Sequence, residues 1–158
     1  MELQGSRHAA GLRFAVVVSR FNEEVTAGLL DGALDTLEQA EVSRDDITIV
    51  RVPGAFEIPL AAFRLAETGQ FDAVITIGCL IKGDTMHFEY IAEACAHGIQ
   101  QAASATGVPV AFGVLTVLTD EQAVARSAPG PENKGREAAL AAIEMATLLS
   151  QIEQEIAE

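Results

Sequence analysis

The sequence predicts a three-layer α/β sandwich, a single domain in which helices flank a four-stranded parallel sheet on both faces. Three observations carry that expectation. Four short apolar runs punctuate the chain, and three of them are nearly continuous hydrophobics rich in β-branched residues, the pattern of strands buried on both faces. Segments of helical period separate these runs, so each strand reaches the next by a crossover that is right-handed in parallel sheets. The 158 residues, 49% of them apolar, suit one core that needs no disulfide to fold.

The first strand is Phe14–Val18 (FAVVV), and Leu29, Leu30, Ala33 and Leu37 after it repeat at three- and four-residue steps. The second is Ile47–Val52 (ITIVRV). Pro59 stands near the start of the helical segment that follows, which carries Leu60, Phe63 and Leu65. The third is Ala73–Ile77 (AVITI), followed by the periodic Ile91, Ala92, Cys95, Ile99 and Ala102. The fourth is Val110–Val117, and Leu140, Ile143, Ala146 and Leu149 mark a last helix that Asn133 is placed to cap. Residues 1–12 read as an arm, and the acidic tail 151–158 extends the last helix or frays. No repeat, low-complexity tract or interdomain linker interrupts the domain, which spans 1–158.

Composition excludes several functions. A net charge of −13, from 23 acidic and 10 basic residues, leaves no broad basic face for nucleic acid. The only lysines are Lys82 and Lys134. Cys79 and Cys95 sit in apolar stretches without secretory context, which suggests a reducing compartment. Residues 1–13 lack the apolar run of a signal peptide, and no window approaches the roughly 20 apolar residues of a membrane span. A soluble, cytoplasmic protein is the expectation.

In parallel sheets ligands bind beyond the carboxyl ends of strands, where strand order reverses. The loops to inspect are therefore 19–22, 53–58, 79–87 and 112–119. The first, Ser19-Arg20-Phe21-Asn22, lacks the several Gly, Ser and Thr residues that a flavin phosphate loop needs, and offers an aromatic instead. Phe21 either stacks on a flat heterocycle or staples the following helix. In the second, Gly54 permits close approach of a ligand to the backbone. Glu57 there either accepts hydrogen bonds from hydroxyls or complements a helix dipole.

The third loop, Gly78 to Phe88, joins a buried strand to a helix, whose free N–H groups make an anion site. Thr85 is placed to cap that helix, and His87 stands in its first turn. Histidine side chains titrate near neutrality and suit proton transfer, although a lone one is more often structural. Asp84 would repel a phosphate unless its carboxylate points away. Further on, Arg126 and Lys134 flank the irregular stretch SAPGPEN, either as an anion grip or as ordinary surface charge. His8, His97, Cys79 and Cys95 do not offer metal-ligand spacing, and Cys79 as a nucleophile lacks a base nearby in sequence.

Five blocks in order resemble the lumazine synthase family from Phe14 to Leu149: SRFNEEVTAGLLDGA, VPGAFEIPLAA, DAVITIGCLIKGDTMHFEYIAEA, GVPVAFGVLTVLTDEQAVAR and NKGREAALAAIEMA. The resemblance implies a flavodoxin-like sheet assembled into pentamers, with active sites between neighbouring subunits and, in some members, icosahedral shells. It implies condensation of 5-amino-6-(D-ribitylamino)uracil with 3,4-dihydroxy-2-butanone 4-phosphate in riboflavin biosynthesis, without metal or organic cofactor. By the same resemblance Phe21 stacks on the pyrimidine, and Ala55, Phe56 and Glu57 hold the ribityl chain and ring substituents. Cys79, Leu80 and Ile81 address the pyrimidine through backbone, Asp84 and Thr85 bind phosphate, and His87 transfers protons. Phe112 and Arg126 come from the neighbouring subunit, with Lys134 close to the phosphate. The sequence departs from the family in Lys82-Gly83-Asp84-Thr85, where many members carry Arg-Gly-Ala-Thr. It departs again in SAPGPEN, where many are rich in glycine and lysine. A non-catalytic lumazine- or riboflavin-binding relative, a shell protein and a flavodoxin-like electron carrier are the rival readings.

Overall fold

The computed structural model describes residues 1–157. Four strands, β1 (Phe14–Ser19), β2 (Ile47–Val52), β3 (Ala73–Ile81) and β4 (Val110–Val117), form one parallel sheet in the order β2-β1-β3-β4. The register pairs Phe14 with Ile47 on one side and with Ala73 on the other, and Val74 with Val110. Among the described residues five α-helices surround the sheet: α1 (Glu23–Gln39), α2 (Ile58–Glu67), α3 (His87–Thr106), α4 (Asp120–Ser127) and α5 (Lys134–Ile152). The predicted three-layer sandwich is what forms.

The pattern that announces each strand also divides the core. Along β1, Phe14, Val16 and Val18 point to one face, beneath α1 and α5, where Leu29, Leu37 and Ile143 are fully buried. Ala15 and Val17 point to the other, beneath α2 and α3, where they meet Ile58, Cys95 and Ile99. Each such large side chain contributes about 1.5–3 kcal/mol relative to leaving it in water. The run ITIVRV differs, and structure explains it: β2 is an edge strand, half-open to solvent, with Ile49 40% exposed.

Helix ends follow local chemistry. Asn133 caps α5, its side chain accepting the N–H of Arg136, as its position predicts. Thr119 caps α4 by accepting from Gln122 N–H at 3.2 Å. Gly107 closes α3 with φ of 73°, a left-handed conformation that glycine enters without strain. Helix α4 was not foreseen, because its eight residues, DEQAVARS, show only one buried position, Ala123. Two of the loop intervals also shrink, since β3 continues through Ile81 and β4 through Val117.

The N-terminal arm docks on α5 and on the end of α1. Gln151 Nε2 donates to the carbonyl of Gln4 at 2.7 Å, the N–H of Ser6 to Thr147 Oγ1 at 2.8 Å, and the N–H of Ala9 to the carbonyl of Ala40 at 2.9 Å. The tail extends the last helix as one π-helical turn, Glu153–Ala157, while Glu158 lies outside the described residues.

Candidate active site

Strand order reverses between β1 and β3: the helix after β1 covers one face and the helix after β3 the other. A crevice must open beyond their carboxyl ends. There a cavity of about 370 Å³ is lined by Phe21 after β1, Gly54 to Glu57 after β2, Leu80 and Ile81 at the end of β3, and Gly83, Thr85 and His87 beyond it. Phe88 and Ile91 of α3 complete the wall.

Three hydrogen bonds pin the loop after β1 from two sides. Arg20 N–H donates to Val52 O at 2.8 Å and Phe21 N–H to Pro53 O at 3.2 Å, binding the loop after β1 to the loop after β2. Asn22 adopts φ of 60°, and its Nδ2 donates to Cys79 O at 3.0 Å, binding the same loop to β3. The left-handed backbone suits asparagine better than most residues. The sequence reading missed Asn22 as a structural clasp, and its only signal there was its place immediately before a helix.

With the loop held this way, Phe21 is 66% exposed and presents its ring to the cavity, which removes the staple reading. Phe56 is 62% exposed beside it, while Ala55 is buried under the turn. Glu57 is exposed at the start of α2 and bonds to no backbone N–H, so its carboxylate stays available to hydroxyls in the cavity. Gly54 has extended backbone, and a Cβ there would meet only Glu57 Oε2 at 3.9 Å, so neither crowding within the chain nor a special φ requires glycine at this point of the cavity wall.

The segment from Cys79 to His87 sorts itself differently from the expectation. Leu80 and Ile81 line the cavity, but Cys79 does not: its side chain is 1% exposed, on the α1 and α5 side of the sheet. Burial, and secondarily the charge of Asp120, push its thiol up to about 11, so it is no nucleophile at neutral pH. Thr85 does not cap α3 in the ordinary sense. Met86 occupies the cap position, and Thr85 Oγ1 accepts a long bond, 3.4 Å, from the N–H of His87. Asp84 is exposed and absent from the cavity wall, which meets the condition set by its charge. Lys82 Nζ turns to Glu89 Oε1 at 3.1 Å, and this ion pair bridges the turn. Its own backbone N–H, and then Lys82, hold the Glu89 carboxyl below the usual range. His87 is the first residue of α3 and is exposed to the cavity.

A second group of predicted residues gathers elsewhere. Phe112, Arg126 and Lys134 line a hollow of about 300 Å³ along the outer edge of β4, with Thr116 and Gln122. Arg126 Nη1 reaches the carbonyl of Gln122 at 3.5 Å, and Lys134 Nζ pairs with Glu137 Oε1 at 3.2 Å. No residue lines both hollows. One chain therefore carries an aromatic and imidazole wall in one place, and in another an aromatic wall with two cations, Arg126 and Lys134, and two carboxylates, Glu132 and Glu137. A further hollow of about 400 Å³ lies between α1 and residues 127–133, lined by none of the predicted site residues.

Fold and cavity define the class: a doubly wound α/β protein with a largely apolar, aromatic-walled cleft at the switch point of its sheet. Residues 11–150 match the family model described as 6,7-dimethyl-8-ribityllumazine synthase, which is most of the chain. The chain belongs to that family, and is thereby a transferase of riboflavin biosynthesis. Among the described residues no helix is long and apolar enough to cross a membrane.

Proposed function

We propose that the two hollows are complementary halves of one active site, closed when copies of the chain meet as a pentamer. The division of the predicted residues between two cavities with no shared wall supports this reading above all else. Phe21, Phe56 and the β3 end hold 5-amino-6-(D-ribitylamino)uracil, with Glu57 accepting hydroxyls of its ribityl chain. The neighbouring copy brings Phe112 over the pyrimidine, and Arg126 and Lys134 to the phosphate of 3,4-dihydroxy-2-butanone 4-phosphate. Thr85 and the amino terminus of α3 approach the same phosphate from the first copy.

The chemistry follows from that placement. The 5-amino nitrogen attacks the ketone carbonyl, and the carbinolamine loses water to give an imine. Loss of the proton on the hydroxyl-bearing carbon beside the imine expels phosphate and leaves an enol, which tautomerises to a ketone, and the ribitylamino nitrogen closes the ring on this new carbonyl with loss of a second water. Both dehydrations and the elimination move protons, so one imidazole serves repeatedly, and His87 is the residue placed to do it. Arg126 offers two parallel N–H donors to the departing phosphate, and Lys134 adds a point charge. Stacking two flexible reactants between aromatic walls supplies positional advantage beyond proton transfer. Asp84, outside the cavity, contributes only backbone there.

Mixing two impaired variants tests the shared site. His87→Ala and Arg126→Ala, each slowed alone, are dissociated, combined in equal amounts and reassembled, and lumazine formation is followed by its fluorescence. If each site takes one residue from each of two copies, random assortment restores activity at about a quarter of interfaces. Complete absence of recovery from reassembled oligomers would sink the shared-site reading.

A further inference from the structure

One side chain fastens the connection between α4 and α5. Asn133 is 2% exposed, and both ends of its amide are engaged. Its Oδ1 accepts the N–H of Arg136 at 3.0 Å, the cap of α5. Its Nδ2 donates to three carbonyls, each at 3.1 Å: those of Gly28, Ser127 and Ala128. Two N–H bonds serve three acceptors, so at least one is shared.

The positions of these partners matter more than their number. Ser127 directly follows Arg126, and Asn133 directly precedes Lys134. Gly28 belongs to α1, in the rigid body of the fold. A single amide thus ties α1 to the residue after one cation and the residue before the other. The approach is so close that a Cβ on Gly28 would overlap the carbonyl of Ser127, and one on Gly32 would overlap the amide of Asn133. Between the tied ends, residues 128–132 are exposed.

We infer that Asn133 is a positioning residue for the anion half-site, setting the separation of Arg126 and Lys134 so that both reach one phosphoryl group. The inference rests on reading Arg126 as a phosphate ligand. Its two functions are chemically separable. Aspartate at 133 retains the acceptor that caps α5 and loses every amide donor, and serine does the same without adding charge.

The test uses the full chain, with steady-state kinetics for each substrate and inorganic phosphate as a competitive inhibitor. Asn133→Asp and Asn133→Ser should fold with capped helices, and should raise both the KM for the butanone phosphate and the Ki of inorganic phosphate about 10-fold or more. The KM for the pyrimidine should stay at its wild-type value. Gly28→Ala, which displaces Ser127 from the opposite side, should reproduce the pattern without touching Asn133. Arg126→Ala is measured alongside. If it weakens phosphate while both Asn133 variants bind phosphate like wild type, the positioning role is overturned. It is equally overturned if both KM values rise together with a fall in melting temperature, the mark of a purely structural residue. If Arg126→Ala itself leaves phosphate binding unchanged, the phosphate reading fails, and this inference with it.

Discussion

His87 shows how far a single residue can be read. Its place in the first turn of a helix, after a strand and a glycine, was visible in sequence, and the structure sets it on the cavity wall. Its role follows from which reactant atoms it can reach. His87→Ala should slow turnover by roughly 10–10⁴-fold, the lower figure applying if stacking and orientation dominate. Single-turnover fluorescence is the suitable measurement, and an unchanged rate would remove the imidazole from the proton transfers. Strand alternation decides which way a side chain points, so Cys79 turns its thiol to the core while its neighbour Leu80 faces the cavity, and the backbone role expected of Cys79 does not depend on that direction. Asn22 and Asn133 escaped, or half escaped, because their partners lie far off in sequence: Cys79 for one, Gly28 for the other.

At the scale of elements, strands and long helices were legible because burial on a fixed face writes a period into the sequence. Helix α4 was not, since a short helix on the surface needs little apolar residue and writes almost none. The packing of one helix on another is written in small residues instead. At Gly135, in the first turn of α5, a Cβ would overlap the carbonyl of Leu29 in α1. Neither backbone can yield without moving a helix. Gly135→Ala should therefore destabilise the fold by about 1–3 kcal/mol through overpacking, despite the better helix propensity of alanine. Urea denaturation would reveal it as a lower midpoint at unchanged slope. A variant as stable as wild type would mean that α1 and α5 can separate freely.

For the whole molecule, the net charge of −13 raises the question of how an anionic substrate approaches. Arg126 and Lys134 share their hollow with Glu132 and Glu137, and Lys134 is paired with Glu137, so the local charge is balanced rather than negative, and screening over roughly 8 Å limits how far the global field reaches it. No reading of one chain reveals what surrounds that hollow in an assembly, which is why the site was legible as residues and illegible as a place. Static light scattering should give a mass near five times the 16.7 kDa chain, or a multiple of that where pentamers associate further. A monomer that is fully active at the same concentration would contradict the shared site.

The bracket formed by Asn133 has a practical side. Because Ser127 and Asn133 are anchored to the body of the protein, the exposed turn between them is held from beneath, its carbonyls at Ala128 and Gly130 accepting from Asn133 and that of Pro131 from Arg136, while two prolines and Gly130, with φ of 125°, shape the bend. Such a segment is a natural insertion point. A foreign peptide grafted between Gly130 and Pro131 would project from the exposed turn of the chain, while the anchors beneath it hold their ground.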